Sequence, residues 1–305
     1  MKLTKINSRG LETYRGSAID FSPDGSLLGY GGFPKGSFYL WDIDVSDVAR
    51  IPCRNDRLVT GISFCPDQFL IAIASDDSHL DLFHRTTHEH VLQLKGHSAP
   101  INELVFSSSN RLASTSLSED KTLLWNTITG EVIKALEFGA VAFSPNGQLL
   151  AISGDHGIAL YSSADGEIVS RMTREKRGYS DITFHSDSTI LAAINSNDQI
   201  EIWHIESRQI ITTLGNPYNG IHKISFIPMC DVLVSASIDQ STIYFWHTLG
   251  DEKLLYSLYS GFDFVSSIAF RADGTYMAFG INGGIVKEVQ LWKIDDRSDT
   301  TMVHE

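Results

Sequence analysis

An apolar stretch ending in Phe recurs seven times along this chain, at Phe21, Phe64, Phe106, Phe143, Phe184, Phe226 and Phe270, with spacings of 37 to 44 residues. About 20 positions after each comes a second aromatic: Trp41, Phe83, Trp125, Tyr161, Trp203, Trp246 and Trp292. A register kept without a skip over 305 residues requires a tandem array of one small structural unit. Within each unit the apolar runs are short and rich in Ile, Val, Leu and aromatics, as in Leu149-Leu150-Ala151-Ile152 or Gln199-Ile200-Glu201-Ile202-Trp203. No 3.6-residue period runs through them, so they read as strands. Four of the Phe residues lead straight into turn sequences: Phe-Ser-Pro-Asp-Gly at 21–25, Phe-Cys-Pro-Asp at 64–67, Phe-Ser-Pro-Asn-Gly at 143–147 and Phe-Arg-Ala-Asp-Gly at 270–274. Pro presets φ and Gly or Asn accepts the left-handed conformation, which makes each a tight hairpin turn.

A period near 40 to 45 residues holding four short strands is the pattern of a propeller blade. The expected fold is therefore all-β, a seven-bladed β-propeller with four-stranded antiparallel blades. On Trp41-Asp42, Gly96-His97, Asp120-Lys121-Thr122 ahead of Leu124-Trp125, and the Phe-Ser-Pro-Asp-Gly turn, the chain resembles the WD-repeat family. Most repeats are degenerate: only the first keeps Trp-Asp and only the third keeps Gly-His. The strand order implied by the resemblance has the outermost strand of one blade precede the three inner strands of the next, as Val91 to Leu94 would here. The last repeat, whose third strand ends near Val289 to Ile294, then lacks an outer partner. Lys2 to Ile6 alternates polar and apolar residues and is expected to supply that strand and close the ring; Thr300 to Val303 competes for the same place. One domain over residues 1–305 is expected, ending in a polar tail at 295–305.

The charge balance of 24 Lys and Arg against 37 Asp and Glu, a net −13, repels polyanions. Nucleic acid and anionic membrane are not expected as partners. Cys53, Cys65 and Cys230 have neither CxxC spacing nor an even count, so no disulfide framework is expected. Together with the lack of an 18-residue apolar run or a signal-peptide core in Met1-Lys2-Leu3-Thr4-Lys5, this argues for a reducing, cytoplasmic location without membrane insertion.

Some clusters carry residue types that chemistry uses. His97, Asp120 and Ser114 or Ser116 are the ingredients of a hydrolase triad, yet the resemblance implies that the matching positions form a structural hydrogen-bond network with Trp125. Two residues more than in the family's usual turn separate Ser114 from Asp120, which leaves the choice of serine open. His84, His88 and His90 with Glu89 have the spacing that puts side chains on one side of a strand, as a metal site needs. Their place in a hairpin of the second blade gives a polar turn instead, and no metal or other cofactor is expected. Gly29-Tyr30-Gly31-Gly32 and Asn282-Gly283-Gly284 precede no helix start, so they lack a phosphate cradle and read as turns.

Arg171, Arg174, Lys176 and Arg177 form the one dense basic run, on a loop that by the resemblance opens on the top face, where the family usually binds. Counting back four residues from each Phe gives the ring expected to border the channel there: Ser17, Thr60, Asn102, Gly139, Ser180, His222 and Ser266. Counting back six adds Arg15, Glu137, Gly178 and Phe264 among others, and adjacent loops add Tyr179, Tyr218 and Phe262. Aromatics and Arg dominate interface energies, so the expected partner-binding set is Arg177, Tyr179, Tyr218, His222, Phe262, Phe264, Asn102 and Arg15. The function that follows is a non-enzymatic scaffold or adaptor that binds a peptide or folded protein on the top face, with no small-molecule substrate. Two alternatives stand beside it. One is a propeller enzyme at the channel mouth, for which the ring offers only His222; the other is recognition of phosphopeptides through Arg15, Arg57 and Arg177, or of phosphoinositides through the basic run, whose Lys176-Arg177-Gly178 loosely resembles the Arg-Arg-Gly motif of lipid-binding propellers.

Overall fold

Each anchor Phe closes the innermost strand of a four-stranded antiparallel sheet, and there are seven such sheets. Their inner strands touch in one closed cycle, each blade against the next and the seventh against the first. The structure is a computed structural model, and it describes residues 1–10, 18–31, 36–53, 57–66, 69–154, 157–172, 178–215, 220–237, 242–248, 254–259, 264–282 and 287–295. Blades 1 to 7 begin with the inner strands Ile19–Phe21, Val59–Phe64, Glu103–Phe106, Ala140–Phe143, Ile182–Phe184, Ile221–Phe226 and Phe264–Phe270. Among the described residues the only helix is a single 3-10 turn, Leu117–Glu119.

The sequence dictates this packing locally. The middle strands of a blade are covered on both sides by neighbouring blades, so they are apolar at successive positions: Ile190–Ile194 is buried at every residue, as a sheet with two covered faces demands. The outermost strands meet water and alternate, as Gln209–Leu214 does. Phe21, Phe64, Phe106, Phe184 and Phe226 are buried, each such side chain contributing roughly 1.5–3 kcal/mol by leaving water. Contacts cross blade boundaries, with Ile202 of blade 5 packing among Ile224, Phe226 and Trp246 of blade 6. Gly29 and Gly31, expected in a turn, lie in the strand Leu27–Gly31. A Cβ on Gly29 would stand 2.7 Å from Ile62 Cδ1, so it is close approach of blade 2 that calls for glycine there.

The ring is closed by the N-terminal strand. Lys2–Gly10 pairs antiparallel with Lys287–Asp295, Lys2 opposite Asp295, with a bulge between Lys5 and Asn7. It runs further than the Lys2 to Ile6 segment expected from alternation. The competing Thr300 to Val303, like the rest of 296–305, lies outside the described residues.

The two faces of the ring differ. On the lower face, where the first and second strands of a blade are joined, turns of neighbouring blades are tied together. Asp24 pairs with Arg85 at 3.0 Å, Ser109 Oγ donates to the Gly147 carbonyl at 3.2 Å, Asn146 N–H donates to Ser188 Oγ at 3.1 Å, and His185 Nε2 meets Asp231 at 3.3 Å. Gly25 sits in this layer at φ +71 with Arg271 Nε 2.5 Å from where a Cβ would be, so a side chain there would be strained and would have to displace Arg271. The upper face carries the connections from each outer strand to the next inner strand and from second to third strands.

Candidate functional site

Two cavities open among the upper connections. The larger, about 400 Å³, is the mouth of the central channel. Thr60, Asn102, Gly139, Ser180 and Ser266 line it, five of the positions counted four residues back from an anchor Phe. Ser17 of that ring lies outside the described residues. His222 does not line the cavity. A bulge between Ile221 and Lys223 shifts the register in that strand, and His222 Nε2–H donates to the Val265 carbonyl instead, at 2.5 Å. Burial lowers the affinity of the ring for a second proton, so His222 is a neutral tie between blades 6 and 7.

The residue of blade 6 that lines the channel is Lys223, with Glu103 of blade 3. Lys223 Nζ stands 3.1 Å from Asp181 Oδ1 and 3.7 Å from Glu103 Oε1, so its side chain joins blade 6 to the facing side of the ring. Asp181 is buried and its second oxygen accepts Ile224 N–H at 2.8 Å. Glu103 Oε2 accepts Val141 N–H at 3.2 Å. The Asp181 carboxylate pushes the Lys223 ammonium pKa up against the effect of burial, whereas burial pushes the Glu103 carboxyl up. All three lie one position beyond the ring counted from the sequence, three residues back from Phe, which is why that count found a polar mouth and missed its charge.

The second cavity, about 300 Å³, is lined by Asp120, Glu137, Phe138, Gly139, Ser153, Gly154, Gly178 and Tyr179. Glu137 Oε1 accepts Tyr161 Oη–H at 2.5 Å and Arg171 Nη1–H at 3.1 Å. Tyr179 Oη donates to Glu201 Oε2 at 2.7 Å, and its carbonyl accepts Ser153 Oγ–H at 3.0 Å. Of the expected partner-binding set, Tyr179 and Asn102 therefore border cavities, Asn102 with its Oδ1 accepting Leu117 N–H at 2.7 Å. Arg177, Tyr218, Phe262 and Arg15 lie outside the described residues, and of Phe264 only the backbone, which opens the blade 7 inner strand, is described.

Below this cavity lies the polar network of blade 3. Trp125 Nε1–H donates to Ser114 Oγ at 2.8 Å, Ser114 Oγ meets His97 Nε2 at 2.7 Å, and His97 Nδ1 meets Glu119 Oε2 at 2.6 Å. A carboxylate only accepts, so Nδ1 carries the proton and Nε2 takes the Ser114 hydroxyl proton. Ser116 is elsewhere, donating to the Pro100 carbonyl at 2.8 Å. Asp120, expected as the acid of this network, is not in it. The 3-10 turn Leu117–Glu119 occupies the two extra residues and sets Glu119 under His97, while Asp120 follows in the left-handed conformation at φ 53 and is exposed. Burial opposes the charge on Glu119, but hydrogen bonds from Lys121, His97 and Ser98 outweigh it and hold the carboxyl down at about 2. The chain from indole to carboxylate has no exit to a substrate: His97 has a side chain 1% exposed. The histidines of blade 2 belong to a hairpin: His84 ends the strand Leu80–His84, His90 opens the strand His90–Leu94 and His88 lies between them. His84 Nδ1 accepts Thr86 and Thr87 N–H at 3.3 and 3.2 Å, and His90 Nε2 pairs with Asp81 at 2.6 Å.

Comparison with known proteins places the same architecture elsewhere. The family profile of the anaphase-promoting complex subunit 4 WD40 domain matches residues 62–142. The transcriptional corepressor LEUNIG_HOMOLOG of Arabidopsis thaliana is 23% identical over 282 residues, covering 90% of this chain and 34% of the relative. Pre-mRNA-processing factor 19 of Mus musculus is 27% identical over 233 residues, 73% of this chain and 46% of that protein. The chain thus spans between a third and a half of the length of these relatives. A chain in the crystal structure of the mitotic checkpoint complex superposes with a TM-score of 0.84 at 14% identity, covering 96% of this chain and 92% of that one.

Proposed function

Since the chain is a WD-repeat β-propeller of seven blades, we propose that it works as a non-enzymatic scaffold that docks a peptide or folded protein partner on its upper face. The observation that carries this reading is on the upper face, where two cavities lined by described residues stay open beside the ties that Ser153 and His222 make between blades. Open concave surface with mixed polar and aromatic lining is where a propeller has contacts left to give.

The charged trio does not favour catalysis. A nucleophilic lysine needs a depressed pKa, and Lys223 is held charged by Asp181. The triad-like series in blade 3 is sealed against substrate. The three free cysteines accord with a reducing, cytoplasmic setting, which belongs to the same proposal.

Affinity capture tests it with two variants. One replaces by Ala the residues expected from the sequence to face a partner, Arg177, Tyr179, Tyr218, Phe262 and Phe264; the other replaces Phe69 by Ala on the lower side, where it is 58% exposed. Loss of a stoichiometric partner from the first and its retention by the second is expected. The opposite pattern would place docking on the lower face and end this reading.

A further inference from the structure

We infer that the two upper cavities are one trough, and that it receives an extended segment of the partner protein carrying two basic side chains, one in the channel mouth and one at Asp120. This deepens the docking function proposed above and rests on it, adding the chemistry of the partner.

Continuity comes from the shared floor. Phe138 and Gly139 line both cavities. At Gly139 a Cβ would stand 1.6 Å from the Ser153 carbonyl oxygen, so two backbones meet there and this stretch of floor carries no side chain between the cavities.

Unused acceptors lie at both ends. In the channel, both Asp181 oxygens are taken, one by Lys223 and one by Ile224 N–H. Glu103 is less complete: Lys223 stands 3.7 Å from its Oε1, an ion pair longer than a hydrogen bond. One donor descending the channel can therefore bond Oε1. At the outer end Asp120 is exposed and its carboxylate accepts no hydrogen bond from any described residue. Glu137 spends Oε1 on Tyr161 and Arg171, and its Oε2 accepts from no described residue. Phe138 and Tyr179 wall this end, offering apolar surface to the stem of Lys or Arg and ring faces to its charge. An acidic segment would meet carboxylates at both ends, and the protein's net charge of −13 adds long-range attraction for a basic one.

The test uses the full chain and a labelled Gly/Ser peptide bearing two arginines, with neutral citrulline and glutamate versions as controls, read by fluorescence anisotropy. The arginine peptide alone should bind, more weakly as salt screens the charges. Asp120→Asn should weaken it about tenfold, an amount that corresponds to 1.4 kcal/mol, and Glu103→Gln should do the same. Thermal melts check that each variant is folded; Asp120 is exposed, so its variant keeps the test valid if Glu103→Gln fails to fold. Phe69→Ala on the lower face should bind as the parent does. Equal binding of the three peptides, or indifference to Asp120→Asn, overturns the inference. Lack of arginine-peptide binding while partner capture still depends on the upper face would sink the inference and leave the scaffold standing; capture that maps to the lower face would remove both.

Discussion

Blades 1 and 3 carry Trp at the same place in the repeat, each fully buried, yet the two indoles are supported in opposite ways. Trp125 donates into the series Ser114, His97, Glu119. Trp41 Nε1–H has no acceptor among the described residues, and Arg9 of the closing strand lies over its ring, 5.4 Å from the centroid. The acids differ as well: Glu119 is held down at about 2 by its donors, whereas burial pushes Asp20 of blade 1 up to about 7 despite N–H donors from Phe21 and Phe64. What this teaches is that the apolar register alone suffices to build a blade. The polar series of blade 3 is an addition whose loss is felt locally, because its members are buried and depend on each other.

The largest effect expected from this contrast follows removal of the middle of the series. His97→Ala leaves Ser114 and the Glu119 carboxylate without their partner and should cost about 2–3 kcal/mol in denaturant unfolding; a cost below that of an exposed substitution would show the series to be dispensable. Acid titration separates the two blades next. The folded pKa of Glu119 lies below its ordinary 4.5, so its contribution is present above pH 4.5 and is lost as pH falls toward 2. Asp20 has the reverse sign. Its folded pKa is raised from 3.8 to about 7, so its effect on stability is most favourable below 3.8 and declines as pH rises toward 7. Stability against pH should be flatter below 4.5 in Glu119→Gln and flatter between 4 and 7 in Asp20→Asn; unchanged slopes would contradict the assignment.

A smaller difference is expected between the indoles. Trp125→Phe takes from Ser114 a donor that Trp41→Phe does not take from any described group, so the blade 3 variant should lose about 1 kcal/mol more. Smallest is the hairpin turn. Blade 1 has Gly25 at φ 71 where blade 3 has Asn110 at φ 58, and Asn110→Gly should stabilise by about 0.5 kcal/mol, since glycine adopts this conformation without strain. A measured loss would mean that the Asn110 side chain matters to the turn.

The blade count, strand order and closing strand were legible because burial between blades enforces a period that apolar residues display at every repeat. His97 and Trp125 were legible through the motif residues that carry the WD-repeat resemblance, which left Ser114 and Ser116 as alternatives. Glu119 was not, because the choice between it and Asp120 depends on how a 3-10 turn spends two extra residues. Lys223, Glu103 and Asp181 were missed by counting one position short of them. The trough could not be read at all, since Asp120, Glu137, Ser153 and Tyr179 come from separate connections that only closure of the ring brings together.

That closure has a consequence for biosynthesis. Lys2 pairs with Asp295, so the first strand of the ring must wait until the third strand of blade 7 has been made before it finds its mate. Until then it is a bare ribbon with unpaired backbone amides, able to zip onto a neighbouring nascent chain. Slow, non-local completion of this kind places the ring's vulnerability to misassembly in time, ahead of the last strand, more than in the finished ring.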